Sequence, residues 1–309
     1  MAISHLAVLI TSHNRKQTTL NCLASLFKSE FSKDISLNVY LVDDGGTDGT
    51  AEAVRQTFPQ VHLLHGNGSL FWTGGMHLAF SEASQQHHDY YLWLNDDTEL
   101  YPTALQTLLD TFEQVTEQKD RLAIVVGSTQ DSKSSKLTYG GVMKGSWIHP
   151  CQFYLVTPTQ KPQTCDTMNG NCVLLSHQVV ALVGQLDTTF RHYAGDFDYG
   201  LRAMKKGCTI WSAPGYVGTC EYNDPKLRLR ASKLDFKNQL QQLQHPKGLA
   251  TEDVTLHPFW EWKEFTKRHA GLIWPVYWLL PYRRILEFYC KGLSKKLQQS
   301  ISSVKEIHD

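Results

Sequence analysis

The sequence predicts an α/β fold built on a doubly wound, mostly parallel sheet. Short, largely apolar runs of strand length alternate with segments of helical period, and these runs cover residues 6–10, 37–42, 61–65 and 90–94. Consecutive apolar positions are typical of strands that are covered on both faces, as in a parallel sheet. The regular alternation of strand and helix in the first hundred residues therefore predicts a doubly wound sheet.

Two adjacent acidic residues follow the fourth apolar run. Asp96 and Asp97 come directly after Leu92-Trp93-Leu94-Asn95. Ligands of open α/β sheets bind beyond the carboxyl ends of the strands, and successive side chains of an extended segment point to opposite sides. The two carboxylates could therefore contact different parts of one ligand, and one could hold Mg²⁺, which binds carboxylates together with substrate phosphates. Taken alone, the same residues could instead form an ordinary loop and helix cap.

Polar loops that contain glycine follow the second and third runs, and a polar turn follows the first. Residues 11–15 follow the first run, Asp43 and Asp44 begin a glycine-rich turn after the second, and two glycine clusters within residues 66–75 follow the third. Glycine lets the backbone approach a ligand closely, so a flat ring and a pyrophosphate could lie against the last loop. The GxGxxG fingerprint is absent after the first run, so the nucleotide site that these loops predict is not of the dehydrogenase type.

A further acidic residue of interest lies at position 196. Apolar residues recur at i, i+4 and i+7 from Phe197, which indicates a helix with one apolar face. Asp196 lies in the first turn, where the helix N-terminus favours an ionised carboxylate that could accept a proton. Taken alone, it could be a capping acid. Asp198 and Arg202 are four residues apart and are better explained as a pair that supports the helix.

Composition excludes several classes of protein. Lys and Arg together number 30, as do Asp and Glu, so no overall positive field favours nucleic acid. The seven Cys are scattered without a CxxC pair, which indicates reduced thiols in a cytosolic compartment rather than disulfides or a zinc site. The chain starts without the pattern of a signal peptide, and no apolar run reaches the length of about eighteen residues that a spanning helix needs. We therefore expect a cytoplasmic protein without a nucleic-acid partner.

The C-terminal part is rich in aromatic and basic residues. Basic residues within 226–233 could belong to a lid or contact an acceptor phosphate. The segment from about 259 to 301 interleaves aromatic and basic residues, so it could lie as an amphipathic helix on the inner face of the plasma membrane. Packing on the rest of the chain, or on a second copy in a homodimer, is the alternative.

Four sequence blocks, in this order and spacing, resemble those of a known family. They are VLITSHNR at 8–15, LVDDGGTDGT at 41–50, LWLNDDT at 92–98, and MNGNCVLL with FRHYAGDFDYGLRAMKKG between 168 and 207. Together they resemble the family-two, GT-A-type inverting glycosyltransferases, especially the bacterial branch with rhamnosyltransferases of surface-polysaccharide assembly. The block GNGSLFWTGGMH at 66–77 resembles the same branch.

The resemblance implies a role for each matched residue. The residues implied to bind a nucleotide-sugar donor are Thr11, His13, Asn14, Arg15, Asp43, Asp44, Gly66, Asn67, Trp72, Gly74 and Asp96. Asp97 would bind Mg²⁺ or Mn²⁺ on the donor diphosphate, and Asp196 would be the catalytic base. Many relatives carry Glu-Asp at the base position, whereas this chain has Gly195-Asp196 and so keeps one acid there.

The resemblance also implies the organisation of the chain. We expect a GT-A-like fold in residues 1–222, with a nucleotide-sugar-binding half at 1–100 and an acceptor half at 101–222, followed by a mostly helical region at 223–309. The expected function is that of a metal-dependent inverting glycosyltransferase. The donor would be a UDP-, dTDP- or GDP-sugar. The acceptor would be a glycan or lipid-linked glycan in the assembly of O-antigen, capsule or exopolysaccharide.

Two other functions remain open from the sequence. A nucleotidyltransferase also places acids and Mg²⁺ at strand ends, but it would need a basic phosphate-binding loop after the first strand, where only Arg15 and Lys16 are available. A non-catalytic nucleotide-sugar-binding protein on the same fold would bind the donor without turnover.

Overall fold

The computed structural model describes residues 4–31, 34–117, 122–146, 148–222, 241, 243–245, 249–250 and 255–283. The chain divides into two compact units, Met1–Tyr222 and Asn223–Asp309. The basic residues within 226–233 lie outside the described residues, as does the part of the predicted amphipathic segment (259–301) that follows residue 283.

The first unit begins with alternating strands and helices. In chain order these are β1 (Ser4–Ser12), α1 (Lys16–Phe27), β2 (Ile35–Asp43), α2 (Thr50–Thr57), β3 (His62–His65), α3 (Phe71–Ala83), β4 (Tyr90–Leu94), β5 (Thr98–Leu100) and α4 (Ala104–Thr116). All four predicted apolar runs are strands, and β1 pairs in parallel with both β2 and β4, as β2 does with β3. The βαβ order therefore yields the parallel sheet that the sequence predicts.

The rest of the unit adds mixed pairing to this sheet. It consists of β6 (Ala123–Gln130), β7 (Leu137–Tyr139), β8 (Gly141–Lys144), β9 (Phe153–Leu155), β10 (Gln163–Cys165), β11 (Thr167–Met168), β12 (Cys172–Ser176), α5 (His177–Val183), α6 (Gly195–Lys205) and β13 (Thr209–Cys220). The main sheet has the order β10-β13-β6-β12-β4-β1-β2-β3, and β8, β9 and β11 form a small second sheet. Strand β12 runs antiparallel between β4 and β6, so it ties the two halves of the sheet together.

Apolar side chains cover both faces of the main sheet. Strand β1 illustrates this, because Leu6, Val8 and Ile10 belong to one buried cluster whereas Ala7 and Leu9 belong to the other. A strand with two buried faces must be apolar at consecutive positions, which is the pattern seen in the sequence.

Strand register brings several loops to one edge of the sheet. Ser12 pairs with Asp43, and Asp43 pairs with His65, so the first three strands end side by side. Antiparallel pairing then places Cys172, at the start of β12, opposite Leu94 at the end of β4. The loop of residues 169–171 consequently lies beside the acidic turn that follows β4.

The second unit is described in part. It contains β14 (Leu249–Ala250), β15 (Thr255–Leu256), α7 (Phe259–His269) and α8 (Trp274–Leu279), with 3₁₀ turns at Gly271–Ile273 and Leu280–Tyr282 on either side of α8. Among the helices described, none combines the length and apolar character needed to cross a bilayer.

Candidate active site

A single arginine binds both acids of the turn between β4 and β5. Arg15, which immediately precedes α1, places Nη1 2.8 Å from Asp96 Oδ1 and 2.8 Å from Asp97 Oδ2. The Arg15 side chain is 40% exposed, whereas the side chains of Asp96 and Asp97 are 6% and 12% exposed. The guanidinium therefore covers two nearly buried carboxylates from the solvent side.

One carboxylate oxygen of Asp96 lacks a hydrogen-bond partner among the described residues. Burial raises the pKa of Asp96 to about 6, against the opposing effect of the neighbouring Arg15. Its Oδ2 atom is buried without a hydrogen-bond partner among the described residues, and a buried carboxylate oxygen without a partner is costly. A hard cation bound there would give this oxygen a partner.

Asp97 receives a further contact from a strand far along the chain. Cys220, at the end of β13, donates its thiol hydrogen to Asp97 Oδ1, with a distance of 3.3 Å between Sγ and Oδ1. Nowhere in the described ranges do three or more His, Cys, Asp or Glu residues form a group that could enclose a metal ion. The two acids nevertheless fit Mg²⁺ or Mn²⁺, because such ions complete their coordination with water and substrate phosphates.

The loops after β1 and β2 are tied to each other by hydrogen bonds. His13 Nδ1 lies 2.6 Å from the Asp44 carbonyl oxygen, and the Thr47 N–H donates to Asn14 Oδ1 at 2.7 Å. Asn14 has a φ of +51°, a left-handed conformation that asparagine tolerates better than most residues. These predicted donor-binding residues thus hold the two loops together through their contacts with one another.

Asp44 uses its carboxylate within the protein. Oδ1 accepts a hydrogen bond from the Gly68 N–H at 2.8 Å, and Oδ2 accepts from the N–H groups of Leu70 and Phe71 at 2.9 and 3.0 Å. A side chain at Gly66 would clash, because a Cβ atom there would lie 2.5 Å from Asp44 Oδ1. Asp44 therefore organises the loop that precedes α3, and Gly66 is required for this close packing.

The other residues of the predicted donor site have mainly local contacts. Asp43 is buried and accepts the Gly46 N–H at 3.2 Å, and Asn67 Oδ1 accepts the Ser69 N–H at 3.0 Å. Thr11 packs against α3, since a Cβ atom on Gly75 would lie 2.0 Å from its Oγ1. A Cβ atom on Gly74 would lie 3.2 Å from Leu70 Cβ, so Gly74 also allows close packing.

Asp196 is held by backbone N–H groups. The Gly170 N–H donates to Oδ2 at 2.9 Å, and the Phe197 N–H donates to Oδ1 at 2.8 Å. Although the side chain keeps some solvent exposure, burial raises its pKa to about 6 while these N–H groups oppose the shift. Asp198 is fully buried and paired with Arg202 at 2.7 Å, as its spacing predicts, so it is committed to the helix.

A side chain at position 195, directly before Asp196, would clash with a neighbouring helix. A Cβ atom on Gly195 would lie 2.7 Å from Oγ1 of Thr73, a buried residue of α3. A glutamate at this position would therefore require Thr73 or one of the two helices to move. The close approach of α3 and α6 thus favours glycine beside Asp196.

Trp72 connects the two acidic sites. Its Nε1 donates to Asn95 Oδ1 at 2.8 Å, next to Asp96 in the chain. Its ring packs on Gly170, where a Cβ atom would lie 2.5 Å from ring carbons, and the Gly170 N–H in turn binds Asp196. One indole thus contacts both the turn that carries the acidic pair and the loop that binds Asp196.

Three residues that contact the acids or Trp72 were not among the predicted site residues. Asn95 and Gly170 lie within the motif blocks, and their positions beside the acids could have indicated them. Cys220 lies beyond the blocks, and no motif or spacing in the sequence indicates its contact with Asp97, which depends on the pairing of Cys220 with Thr98.

Comparison with known proteins shows which family the chain resembles. Residues 7–177, which are more than half of the chain, match the model of Glycosyl transferase family 2. Among curated proteins, N-acetylglucosaminyl-diphospho-decaprenol L-rhamnosyltransferase of Mycobacterium tuberculosis is 23% identical over 194 residues, which are 55% of this chain and 62% of the relative. The chain therefore spans less than two thirds of the length of that relative. The resemblance to family-two glycosyltransferases is confirmed.

Solved structures show the same fold. A crystal structure of GalNAc-T7 with UDP, GalNAc and Mn²⁺ matches with a TM-score of 0.53 and 14% identity, covering 69% of this chain and 43% of the other. The mannosyltransferase PcManGT of Pyrobaculum calidifontis, in complex with GDP-Man and Mn²⁺, matches with a TM-score of 0.52 and 13% identity, covering 94% of this chain and 80% of the other. The predicted GT-A-like fold is confirmed.

Proposed function

Because the chain belongs to glycosyl transferase family 2, we propose that it is a metal-dependent inverting glycosyltransferase that moves a sugar from a nucleotide sugar to a hydroxyl acceptor. The observation that carries this proposal is the fixed placement of Asp196, a carboxylate with a raised pKa, relative to the acidic pair through Trp72. Donor diphosphate and acceptor hydroxyl would then meet between the two sites.

Asp96 and Asp97 would hold Mg²⁺ or Mn²⁺ on the donor diphosphate. A divalent cation offsets the negative charge that develops on the leaving phosphate, a stabilisation of several kcal/mol. The unpartnered Oδ2 of Asp96 supports this role. Cys220 would restrain Asp97 in the orientation seen here. The two solved structures are of complexes with Mn²⁺, which agrees with the proposal in kind.

Asp196 would accept the proton of the acceptor hydroxyl. The attacking oxygen must lose this proton as it bonds to the anomeric carbon, and a carboxylate within reach contributes about 10²- to 10⁴-fold to the rate. The N–H groups of Gly170 and Phe197 fix both oxygens of Asp196, so the base is preorganised. A single displacement inverts the anomeric configuration and forms no covalent intermediate.

The loops after β1, β2 and β3 would enclose the nucleotide. The residues that we assign to this wall are Thr11, His13, Asn14, Arg15, Asp43, Asp44, Gly66, Asn67, Trp72 and Gly74. Within the set, Arg15 alone carries a permanent positive charge that could bind a phosphate, and its side chain is 40% exposed. The backbone around Asp44, Gly66 and Asn67 would contribute through its shape.

We assign the acceptor to the class of glycans and lipid-linked glycans of surface-polysaccharide assembly, such as O-antigen, capsule or exopolysaccharide. The name of the curated relative, N-acetylglucosaminyl-diphospho-decaprenol L-rhamnosyltransferase, specifies a lipid-linked acceptor for that protein. Residues 1–100 would bind the donor and residues 101–222 the acceptor. The protein would work in the cytoplasm, at the inner face of the plasma membrane.

A donor screen with a matched variant tests the proposal. UDP-, dTDP- and GDP-sugars would be incubated with the protein and Mn²⁺, and donor hydrolysis and thermal shift would be followed. We expect one nucleotide class to stabilise the protein and to be turned over slowly. Asp110→Asn, at an exposed residue of α4, serves as a carboxylate control. Stabilisation without turnover, with and without candidate acceptors, would favour a non-catalytic binding protein.

A further inference from the structure

The described part of the C-terminal unit carries a row of exposed apolar side chains. Leu272 is 99% exposed, and Val276, Leu279 and Leu280 are 58%, 51% and 44% exposed. Residues 271–282 are helical throughout, as α8 with a 3₁₀ turn on either side. The four side chains follow the spacing i, i+4, i+7 and i+8, which places them on one helical face. We call these four residues the apolar ridge.

The opposite side of this segment is fixed by hydrogen bonds to its own unit. Trp262 Nε1 donates to the Tyr277 carbonyl at 2.9 Å, and Trp278 Nε1 donates to the Phe259 carbonyl at 3.1 Å. The Tyr282 hydroxyl donates to the carbonyl of His257 at 2.9 Å. The apolar ridge therefore projects from an element that is anchored within the described part of its unit.

Aromatic and basic side chains of α7 contact Trp278, on the other side of α8. Trp260 is 66% exposed, and the Nζ atom of Lys263 lies 5.2 Å from its ring and 4.9 Å from the ring of Trp278. Trp and Tyr are enriched at the level of lipid headgroups, because they have an apolar body and a polar tip.

The charge beside the apolar ridge is mainly positive. The basic residues of the segment 259–283 are Lys263, Lys267, Arg268 and Arg283, and its acidic residues are Glu261 and Glu264. Glu261 is 6% exposed, and Glu264 is paired with Arg268 at 2.8 Å. With four basic and two acidic residues, the segment carries a net positive charge.

We propose that the apolar ridge is a docking surface for an anionic lipid bilayer, with Trp260 and Lys263 at the level of the headgroups. Amphipathic helices with apolar and basic faces lie in this way in the membrane interface. A second copy of the chain fits less well, because a twofold interface would bring the two sets of cations together. Anionic headgroups, in contrast, would neutralise them. This surface does not depend on the chemistry proposed for the other unit.

Sedimentation of the full-length protein with lipid vesicles tests the proposal. We expect binding to phosphatidylglycerol-containing vesicles, weaker binding to pure phosphatidylcholine, and a loss of affinity as salt increases. Leu272→Glu and Val276→Glu should each weaken binding about tenfold or more, because each removes a buried apolar contact and adds a charge of the wrong sign. Leu182→Glu, at a 39% exposed leucine of α5, is the matched control and should bind as wild type does.

A second measurement does not rely on the variants remaining folded. Vesicles with brominated acyl chains should quench tryptophan fluorescence of the wild-type protein, because Trp260 would lie at the interface. Absence of quenching, or equal vesicle binding by wild type and both ridge variants, would overturn the proposal. Concentration-dependent dimers that Leu272→Glu dissociates, without vesicle binding, would assign the surface to a second copy. Donor hydrolysis measured without lipid tests the proposed function separately.

Discussion

The acidic pair Asp96–Asp97 and the single acid Asp196 are linked through Trp72 but are stabilised by different kinds of group. A side chain, that of Arg15, neutralises the pair, whereas two backbone N–H groups hold Asp196. A side chain can rotate away and be replaced by another cation. A backbone N–H within a packed loop cannot. The pair is therefore suited to exchange its counter-ion, and Asp196 is suited to keep its geometry while its proton comes and goes.

The largest effect should come from removing the basicity of Asp196. Asp196→Asn keeps the size of the side chain, so we expect donor affinity within about twofold of wild type and a fall in transfer of about two to four orders of magnitude. Calorimetry with the donor and product formation under saturating conditions measure the two quantities. Asp110→Asn should change neither.

The stereochemistry of the product tests the same role. An α-linked donor should give a β-linked product, and a β-linked donor the reverse, because one displacement inverts once. If NMR shows retained configuration, or if Asp196→Asn keeps more than about a tenth of wild-type transfer, Asp196 is not the base of a single displacement.

A change in the acidic pair should weaken the binding of metal and nucleotide more than it affects proton removal from the acceptor hydroxyl. Asp97→Ala should weaken metal-dependent binding of the nucleoside diphosphate by about a hundredfold or more, since even the outer partners of metal ligands contribute about 10- to 100-fold. Calorimetry with and without Mn²⁺ measures this. Equal affinity of the wild-type protein under both conditions would show that the pair binds no metal. The pair would then not exchange Arg15 for a metal ion, and in this respect it would not differ from Asp196.

The pH dependence of transfer should report the protonation of Asp196 once it is compared with the pH dependence of nucleotide binding, because burial raises the pKa of Asp96 to about 6 as well. The base must be ionised to act, and burial raises the pKa of Asp196 to about 6. Transfer at saturating donor and metal should therefore be constant above that pH and fall about tenfold per pH unit below it. Nucleotide binding, measured over the same pH range, provides the control. A profile of transfer that stays flat down to pH 5, while binding is retained, would contradict the role of Asp196.

The sequence predicts the parts of the site that depend on local order. The apolar runs that become β1 to β4 must be followed by loops at one edge of a parallel sheet, so the acids at 96–97 and the loop at 43–44 could be placed in advance. The i, i+4 pair of Asp198 and Arg202 was likewise predictable from helical spacing. These features can be predicted from neighbouring residues and from the periods of strand and helix alone.

The remaining features depend on contacts between distant segments. The antiparallel insertion of β12 between β4 and β6 brings Gly170 to Asp196, and the end of β13 brings Cys220 to Asp97. The sequence marks Asp44 as a ligand-binding acid but does not show that both its oxygens accept N–H groups of the loop before α3. Sequence spacing carries no information about which backbone groups converge on a carboxylate.

The smallest expected effect concerns the cation that covers the acidic pair. If Arg15 must leave before a divalent ion binds, Arg15→Met should raise the affinity for Mn²⁺ in the absence of nucleotide. The increase should be about fivefold, equivalent to about 1 kcal/mol, because partly exposed ion pairs contribute no more than this. Electron paramagnetic resonance of free Mn²⁺ measures the affinity directly. Arg55→Met, which removes the exposed pair with Glu52 on α2, is the control and should leave it unchanged. An unchanged or lower affinity in Arg15→Met would mean that Arg15 and the metal ion do not compete, and that the side chain stays beside the acids when the metal ion binds.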